Sequence, residues 1–347
     1  MKKFKVLVTG GSGYFGETLV KDLINRGYLC SVLDVNDPSS EITDSIIFHK
    51  ADIRDKSAVL KATKGIDLIF HNVAQVPLAK DNNLFDTVNR LGTQNIVEAG
   101  LYNKCKHLIY TSSSAIYGVP ESNPVFEETK PIPQESYGRA KLDGENYCLK
   151  NRNKGMNISI IRPRTILGRG RLGIFQILFE WIYNGKNVPV FDGGDNLYQF
   201  IHIDDLSNAC ILAAEKDIDG TYNIGTNDFC SMKDTLEALI THSKSKSKVK
   251  SLSSTLVVPI MKAMSFFKLS PLGPYHALMY GKSMYFDTKK ANEELKWIAK
   301  YSNKEMIIQS YEWYLRNREI ILSDQAQKSP HKSAIKQGAL SLVSRLL

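Results

Sequence analysis

Apolar and polar positions alternate in two rhythms along the first 165 residues, short apolar runs between longer stretches of helical spacing. Lys5-Val-Leu-Val-Thr9 is the first apolar run and predicts a buried strand. Glu17–Arg26 then reads as an amphipathic helix closed by Gly27. Further runs at Leu29–Leu33, Ile46–His49, Leu68–His71 and His107–Thr111 predict strands, with a helix over Asn89–Tyr102. Strand and helix in strict alternation predict an α/β fold, a doubly wound parallel sheet. Beyond residue 160 the alternation loosens. Gly173–Tyr183 predicts an apolar helix, Val188–Phe191 and Gln199–Ile203 short strands, and Asp204–Glu215 another helix. Ile307, Tyr311, Tyr314 and Leu315 recur helically within Asn303–Arg318, a packing helix.

Between the first strand and its helix the chain reads Gly10-Gly-Ser-Gly13-Tyr-Phe-Gly16. Side-chain-free positions at this spacing let backbone turn tightly and bring amide N–H groups to a pyrophosphate. The second strand ends in Asp34, eighteen residues after Gly16. A carboxylate there accepts from both ribose hydroxyls of an adenosine and repels a 2′-phosphate, so NAD is favoured over NADP. Asp52-Ile53 follows the third strand as an adenine contact, and Asn72-Val73-Ala74 follows the fourth, small enough for close backbone approach.

Tyr137 and Lys141 are spaced i, i+4 in Ser136-Tyr-Gly-Arg-Ala-Lys141, on one helix face. A cation beside a phenol favours phenolate and lowers its pKa toward the working range. Such a tyrosine can take a proton from an alcohol as hydride leaves the same carbon. Tyr-x-x-x-Lys alone is a common solvated face; the upstream glycines and Ser112-Ser113-Ser114 give it meaning.

With these motifs the chain resembles the extended short-chain dehydrogenase/reductase superfamily, in its NAD-dependent epimerase/dehydratase group, from about residue 5 to 318. The likeness rests on Thr9–Gly16, Asp52-Ile-Arg-Asp55, Asn89-Arg-Leu-Gly-Thr93, Thr111–Gly118, Tyr137-x-x-x-Lys141, Ile161-Arg-Pro163 and Phe200-Ile-His-Ile-Asp-Asp205. It implies a Rossmann-type fold and a cofactor site of Gly10, Gly13, Tyr14, Phe15, Gly16, Asp34, Asp52, Ile53, Asn72, Val73, Ala74, Asn89, Tyr137 and Lys141. It implies Tyr137 as acid/base, Lys141 lowering its pKa and holding the nicotinamide ribose, and Ser113 holding the reacting C–OH or C=O. His202 and Asp205 match structural positions. Sugar dehydratases of the superfamily resemble Thr-Asp-Glu where this chain has Ser113-Ser114-Ala115, so dehydration is disfavoured. The first expectation is an epimerase of a nucleotide- or lipid-diphosphate-linked sugar; the alternative is a dehydrogenase of the hydroxysteroid type acting on a lipid alcohol.

Substrate signals are mixed. Arg162, Arg164, Arg169 and Arg171 fall in one glycine-containing loop, and guanidinium forks match phosphate oxygens. Ser113, Ser114, Arg164, Arg169 and Tyr198 are the candidate substrate contacts. Yet Tyr198 stands where nucleotide-sugar enzymes resemble Arg, and Gly281–Asp287 lacks their Arg-x-Gly-Asp segment. Leu256–Phe267 and Leu269–Tyr280 are apolar but interrupted by Lys262 and Lys268, too broken to span a bilayer. They read as a helix pair over the pocket or as a membrane-facing lid. Ile335, Ala339, Leu342, Val343 and Leu346 share a helical face beside Lys332, Lys336 and Arg345, a basic amphipathic pattern for a membrane interface or a partner subunit.

Composition adds bounds. The 347 residues, 43% hydrophobic, can bury a substantial core. Net charge of +9 concentrates in 243–250 and the tail, with no nucleic-acid motif. Five scattered cysteines fit a reduced cytoplasmic protein without a metal site. The expected organisation is a Rossmann domain over 1–165 and a substrate lobe over 166–322, some of its elements returning to the core. A flexible tail with a short amphipathic helix follows over 323–347. The expected associations are a small-molecule substrate, no nucleic acid, peripheral contact with the inner face of a membrane through 335–347, and a homodimer.

Overall fold

The computed structural model describes residues 4–75, 84–266 and 279–323. Seven strands form one parallel sheet: β1 (Lys5–Thr9), β2 (Leu29–Asp34), β3 (Ile46–Lys50), β4 (Leu68–His71), β5 (His107–Thr111), β6 (Asn157–Pro163) and β11 (Thr221–Ile224). Their order is β11-β6-β5-β4-β1-β2-β3. The inner strands read as continuous apolar runs because helices cover both faces. Leu19, Leu23, Leu206, Ala209 and Trp297 pack on one face; Val59, Ile96, Val97 and Cys148 pack on the other. The strand order reverses between β1 and β4, which opens a crevice at their carboxyl ends.

The remaining strands pair in twos: β7 (Thr165–Leu167) with β10 (Phe200–His202), β9 (Leu197–Tyr198) with β12 (Cys230–Ser231), and β8 (Val188–Phe191) with β13 (Val249–Leu252). With the Ile174–Tyr183, Met232–Ser243 and Asn303–Leu322 helices they enclose a second core around Phe179, Phe200, Tyr311 and Tyr314. Glu180 braces it, accepting from the Tyr314 hydroxyl at 2.6 Å and pairing with Arg318 at 2.6 Å.

Two local differences from the sequence reading matter. The first helix begins at Tyr14, not Glu17, with Gly13 as its N-cap. It winds directly out of the glycine turn because a Cβ on Gly16 would stand 2.0 Å from the Gly10 carbonyl oxygen. Strand β13 falls in a polar, lysine-rich stretch where the sequence carries no strand pattern; pairing with β8 imposes it. The predicted tail helix over 335–347, residue 267 at the end of the first apolar segment and residues 269–278 of the second lie outside the described residues. Among the described residues no helix is long and apolar enough to cross a membrane.

Candidate active site

The switch-point crevice is the floor of a cavity of about 680 Å³ that runs across both lobes. At its first end Gly10 has φ +73°, and a Cβ there would meet the Val73 amide nitrogen at 3.0 Å. Glycine is therefore required both for the turn and for contact with the chain after β4. Asp34 ends β2 beside this turn. Its carboxylate accepts from the Ser12 and Asn36 amides at 3.1 and 2.9 Å, fixing it at the cavity wall with lone pairs to spare. Gly13, Tyr14, Phe15, Asp52, Ile53, Asn72, Val73 and Ala74 also line the cavity. Asp52 is held by Arg54 at 2.6 Å. Among the described residues the buried Asn72 Nδ2 group has no partner. A side-chain-free cradle, a fixed carboxylate and an unused amide donor together suit a dinucleotide.

Asn89 is elsewhere. It is buried, and its amide brackets the Gln75 backbone, accepting from N–H at 2.7 Å and donating to C=O at 3.0 Å. It shapes the loop after Ala74 and does not itself reach the cavity wall.

The Ser136–Asn151 helix presents Tyr137 and Lys141 to the cavity. The Glu135 carboxylate caps it, accepting from the Tyr137 and Gly138 amides at 2.7 and 2.6 Å. Ser113 caps the short 3-10 turn Ser114–Tyr117, and its hydroxyl stands near enough to the Tyr137 phenol to draw the phenol's pKa down. Burial pushes that phenol up to about 12, against the pull of the Ser113 hydroxyl and the Arg171 cation. Lys141 is not among the groups that pull on that phenol here. Its ammonium donates to the Thr111 carbonyl at 2.8 Å and lies 5.0 Å from the Tyr110 ring centre. A buried ammonium takes the available carbonyl, and burial lowers the Lys141 pKa to about 8.

The four arginines separate. Arg162 forms a buried pair with Glu145 at 2.7 Å. Arg169, an expected substrate contact, instead points outward with its side chain 61% exposed and pairs with Asp204 at 2.9 Å. Arg164 and Arg171 are buried on the cavity wall. Arg164 donates to Ser114 Oγ at 3.0 Å and lies 4.7 Å from the Tyr198 ring, with Nε and Nη2 unmet. Arg171 stacks over Tyr14 and Phe175 at 5.6 and 5.5 Å, its Nε unmet. Among the described residues neither has a carboxylate partner. Buried guanidinium without a counter-ion is costly, and both groups keep N–H donors that an anion could take. Tyr198 lines the same wall, its hydroxyl 2.9 Å from Thr165 Oγ1. Arg171 is the residue that sequence reading left unranked; the alternation Arg169-Gly-Arg171 gives no sign of which arginine turns inward.

His202 caps the Ile203–Lys216 helix through Nδ1, and Asp205 accepts from the Lys300 and Tyr301 amides at 2.9 and 3.3 Å. Both are structural. Among the described residues no cluster could hold a metal ion.

A family model described as the NAD dependent epimerase/dehydratase family matches residues 6–225. The uncharacterized protein y4nG of Sinorhizobium fredii is 47% identical over 338 residues, 97% of this chain and 85% of that protein. UDP-glucose 4-epimerase 2 of Oryza sativa subsp. japonica is 28% identical over 363 residues, 90% of this chain and 82% of that one. Among solved structures, UDP-glucose 4-epimerase of Thermotoga maritima with UDP-glucose superposes with a TM-score of 0.76 at 23% identity, covering 91% of this chain and 100% of that one.

Proposed function

The chain belongs to the NAD-dependent epimerase/dehydratase family, and from that premise we propose that it is an epimerase of a sugar carried on a diphosphate. One observation carries the reading. A single cavity joins the dinucleotide turn, the Ser113–Tyr137 pair and two buried arginines without a counter-ion.

NAD, when bound, supplies the hydride acceptor and donor. Gly10, Gly13 and Gly16 would hold its pyrophosphate, Asp34 its adenosine ribose and Lys141 its nicotinamide ribose. Ser113 holds the reacting oxygen of the sugar. Tyr137 Oη takes the hydroxyl proton as the carbon is oxidised, then returns a proton to the ketone oxygen once the sugar has turned its other face. Proton and hydride both come back, so the sugar is inverted with no net redox change. Ser114 and Ala115 offer no carboxylic acid to expel a hydroxyl, which speaks against dehydration.

A second reading, net oxidation of a lipid alcohol, is favoured by the apolar wall contributed by Phe175, Leu178, Trp181 and Leu236. Peripheral membrane contact through residues 335–347 suits either reading when the substrate is lipid-borne. Reaction of the full chain with NAD and a panel of UDP-sugars, polyprenyl-diphosphate sugars and sterols separates the two. Epimerisation gives an inverted sugar by NMR, with no solvent deuterium at the inverted carbon and no build-up of NADH. Stoichiometric NADH with a released ketone would reject the epimerase.

A further inference from the structure

Beyond the catalytic residues, the cavity wall changes character. It is formed by the Ile174–Tyr183 helix, β8, the Met232–Ser243 helix and the Ser254–Phe266 helix. Leu178, Trp181, Met232, Leu236, Val257 and Met279 face it. Among the described lining residues the charged ones are Asp34, Asp52 and Arg54 at the dinucleotide end, Lys141 beside Tyr137, and Arg164 and Arg171. Among the described residues, the wall around Leu178 and Val257 carries none.

A nucleoside needs hydrogen-bond partners for its base and ribose, and the natural source here is the backbone of β8. Part of that backbone is already committed. One edge of the strand pairs along its length with β13. On the other edge Pro189 has no N–H, and its carbonyl accepts from the Tyr280 hydroxyl at 2.6 Å. The Phe191 and Tyr280 rings meet edge-on at 5.1 Å and finish the surface as hydrocarbon. A polar base set against this wall would lose its water without replacement, a penalty that a hydrocarbon does not incur. The Ser254–Phe266 helix also turns Leu256 outward, 70% exposed, next to the inward-facing Val257.

We infer that the substrate's diphosphate carries an isoprenoid-type hydrocarbon and not a nucleoside. The sugar sits at Ser113 and Tyr137, phosphate oxygens take the open N–H groups of Arg164 and Arg171, and the hydrocarbon lies against the apolar wall. This deepens the epimerase reading and rests on it.

Calorimetric titration of the NAD-loaded full chain with farnesyl diphosphate, farnesol, UDP and inorganic pyrophosphate is the test. Farnesyl diphosphate should bind at least about tenfold more tightly than each of the other three. Leu178→Gln and Val257→Asp, at half-buried positions on separate helices, should each weaken farnesyl diphosphate by about tenfold and leave pyrophosphate unchanged. Arg164→Met should weaken both. UDP binding as tightly as farnesyl diphosphate overturns the inference, as does farnesyl diphosphate binding that ignores both wall substitutions. Farnesol binding as tightly as its diphosphate removes the arginine half and overturns it too. The NADH and stereochemical readouts are independent of these affinities. Inverted UDP-sugar with tight UDP binding removes only the hydrocarbon inference, whereas tight farnesyl diphosphate with accumulating NADH removes the epimerase reading and leaves the lipid site.

Discussion

Tyr137 and Lys141 share a helix face, yet their side chains answer to different neighbours. The phenol stands in the cavity with Ser113, while the ammonium satisfies the Thr111 carbonyl. With burial holding the phenol up at about 12, the phenolate that accepts the sugar proton is scarce at neutral pH and grows as pH rises. Single-turnover oxidation should therefore climb between about pH 6 and 9. Tyr137→Phe should cut turnover by about 10²–10⁴-fold, abolish that climb and leave NAD affinity within about twofold, read by stopped-flow and fluorescence titration. Retained turnover would exclude Tyr137 as the base. Asp34 supports a prediction of another kind, because its carboxylate would accept from ribose hydroxyls but repel phosphate. Asp34→Ala should weaken NAD by about tenfold or more, with NADP little changed or improved; equal loss of both refutes the ribose role.

Elements explain why these residues arrive in register. The Ser136–Asn151 helix is locked to β6 by the buried Arg162–Glu145 pair, and Arg162 also donates to the Tyr117 hydroxyl at 2.6 Å and the Glu127 carbonyl at 2.9 Å. That bracket ties the helix bearing Tyr137 to the turn bearing Ser113. Arg162→Met leaves Glu145 buried and unpaired and should cost about 3–5 kcal/mol in denaturant unfolding. A cost below about 1 kcal/mol would show that the bracket is dispensable. The first helix tells a related story about reading boundaries. Its apolar rhythm is clear after Glu17, but its true start at Tyr14 depends on how closely Gly16 passes Gly10, a contact that the helical pattern does not encode.

At the scale of the whole molecule, His71 gives the fold an acid-sensitive core. Thr93 Oγ1 donates to the Asn89 carbonyl at 2.6 Å, so His71 Nε2 donates to Thr93 and Nδ1 accepts from Thr9 Oγ1 at 2.7 Å. The ring is fully buried, and burial together with Lys141 lowers its pKa from 6.5 to about 3. An unfolded chain takes up a proton below pH 6.5 that the folded chain refuses until about pH 3. Stability should therefore fall with pH through that window, by up to about 1.4 kcal/mol per unit from this group. Urea midpoints measured from pH 7.5 down to 5 should show that slope, and His71→Asn should flatten it whatever its absolute stability. An unchanged slope in the variant would clear His71 of the effect.

Strand runs and glycine spacing made the Rossmann core and the NAD cofactor legible from the chain alone, and the Tyr-x-x-x-Lys spacing brought Tyr137 and Lys141 to one cavity. Those features are set by local chemistry: a turn needs glycine, a buried strand needs apolar residues, and a helix brings i and i+4 to one face. The substrate half was not legible in the same way. Arg169 and Arg171 are two residues apart with the same side chain, yet one meets Asp204 in solvent and the other lies buried over Tyr14 and Phe175. Asn89 carries a family motif but supports the Gln75 backbone, and Lys141 turns to Thr111 instead of the phenol. Which way a long charged side chain points is decided by partners distant in sequence, and only the assembled lobes bring those partners within reach.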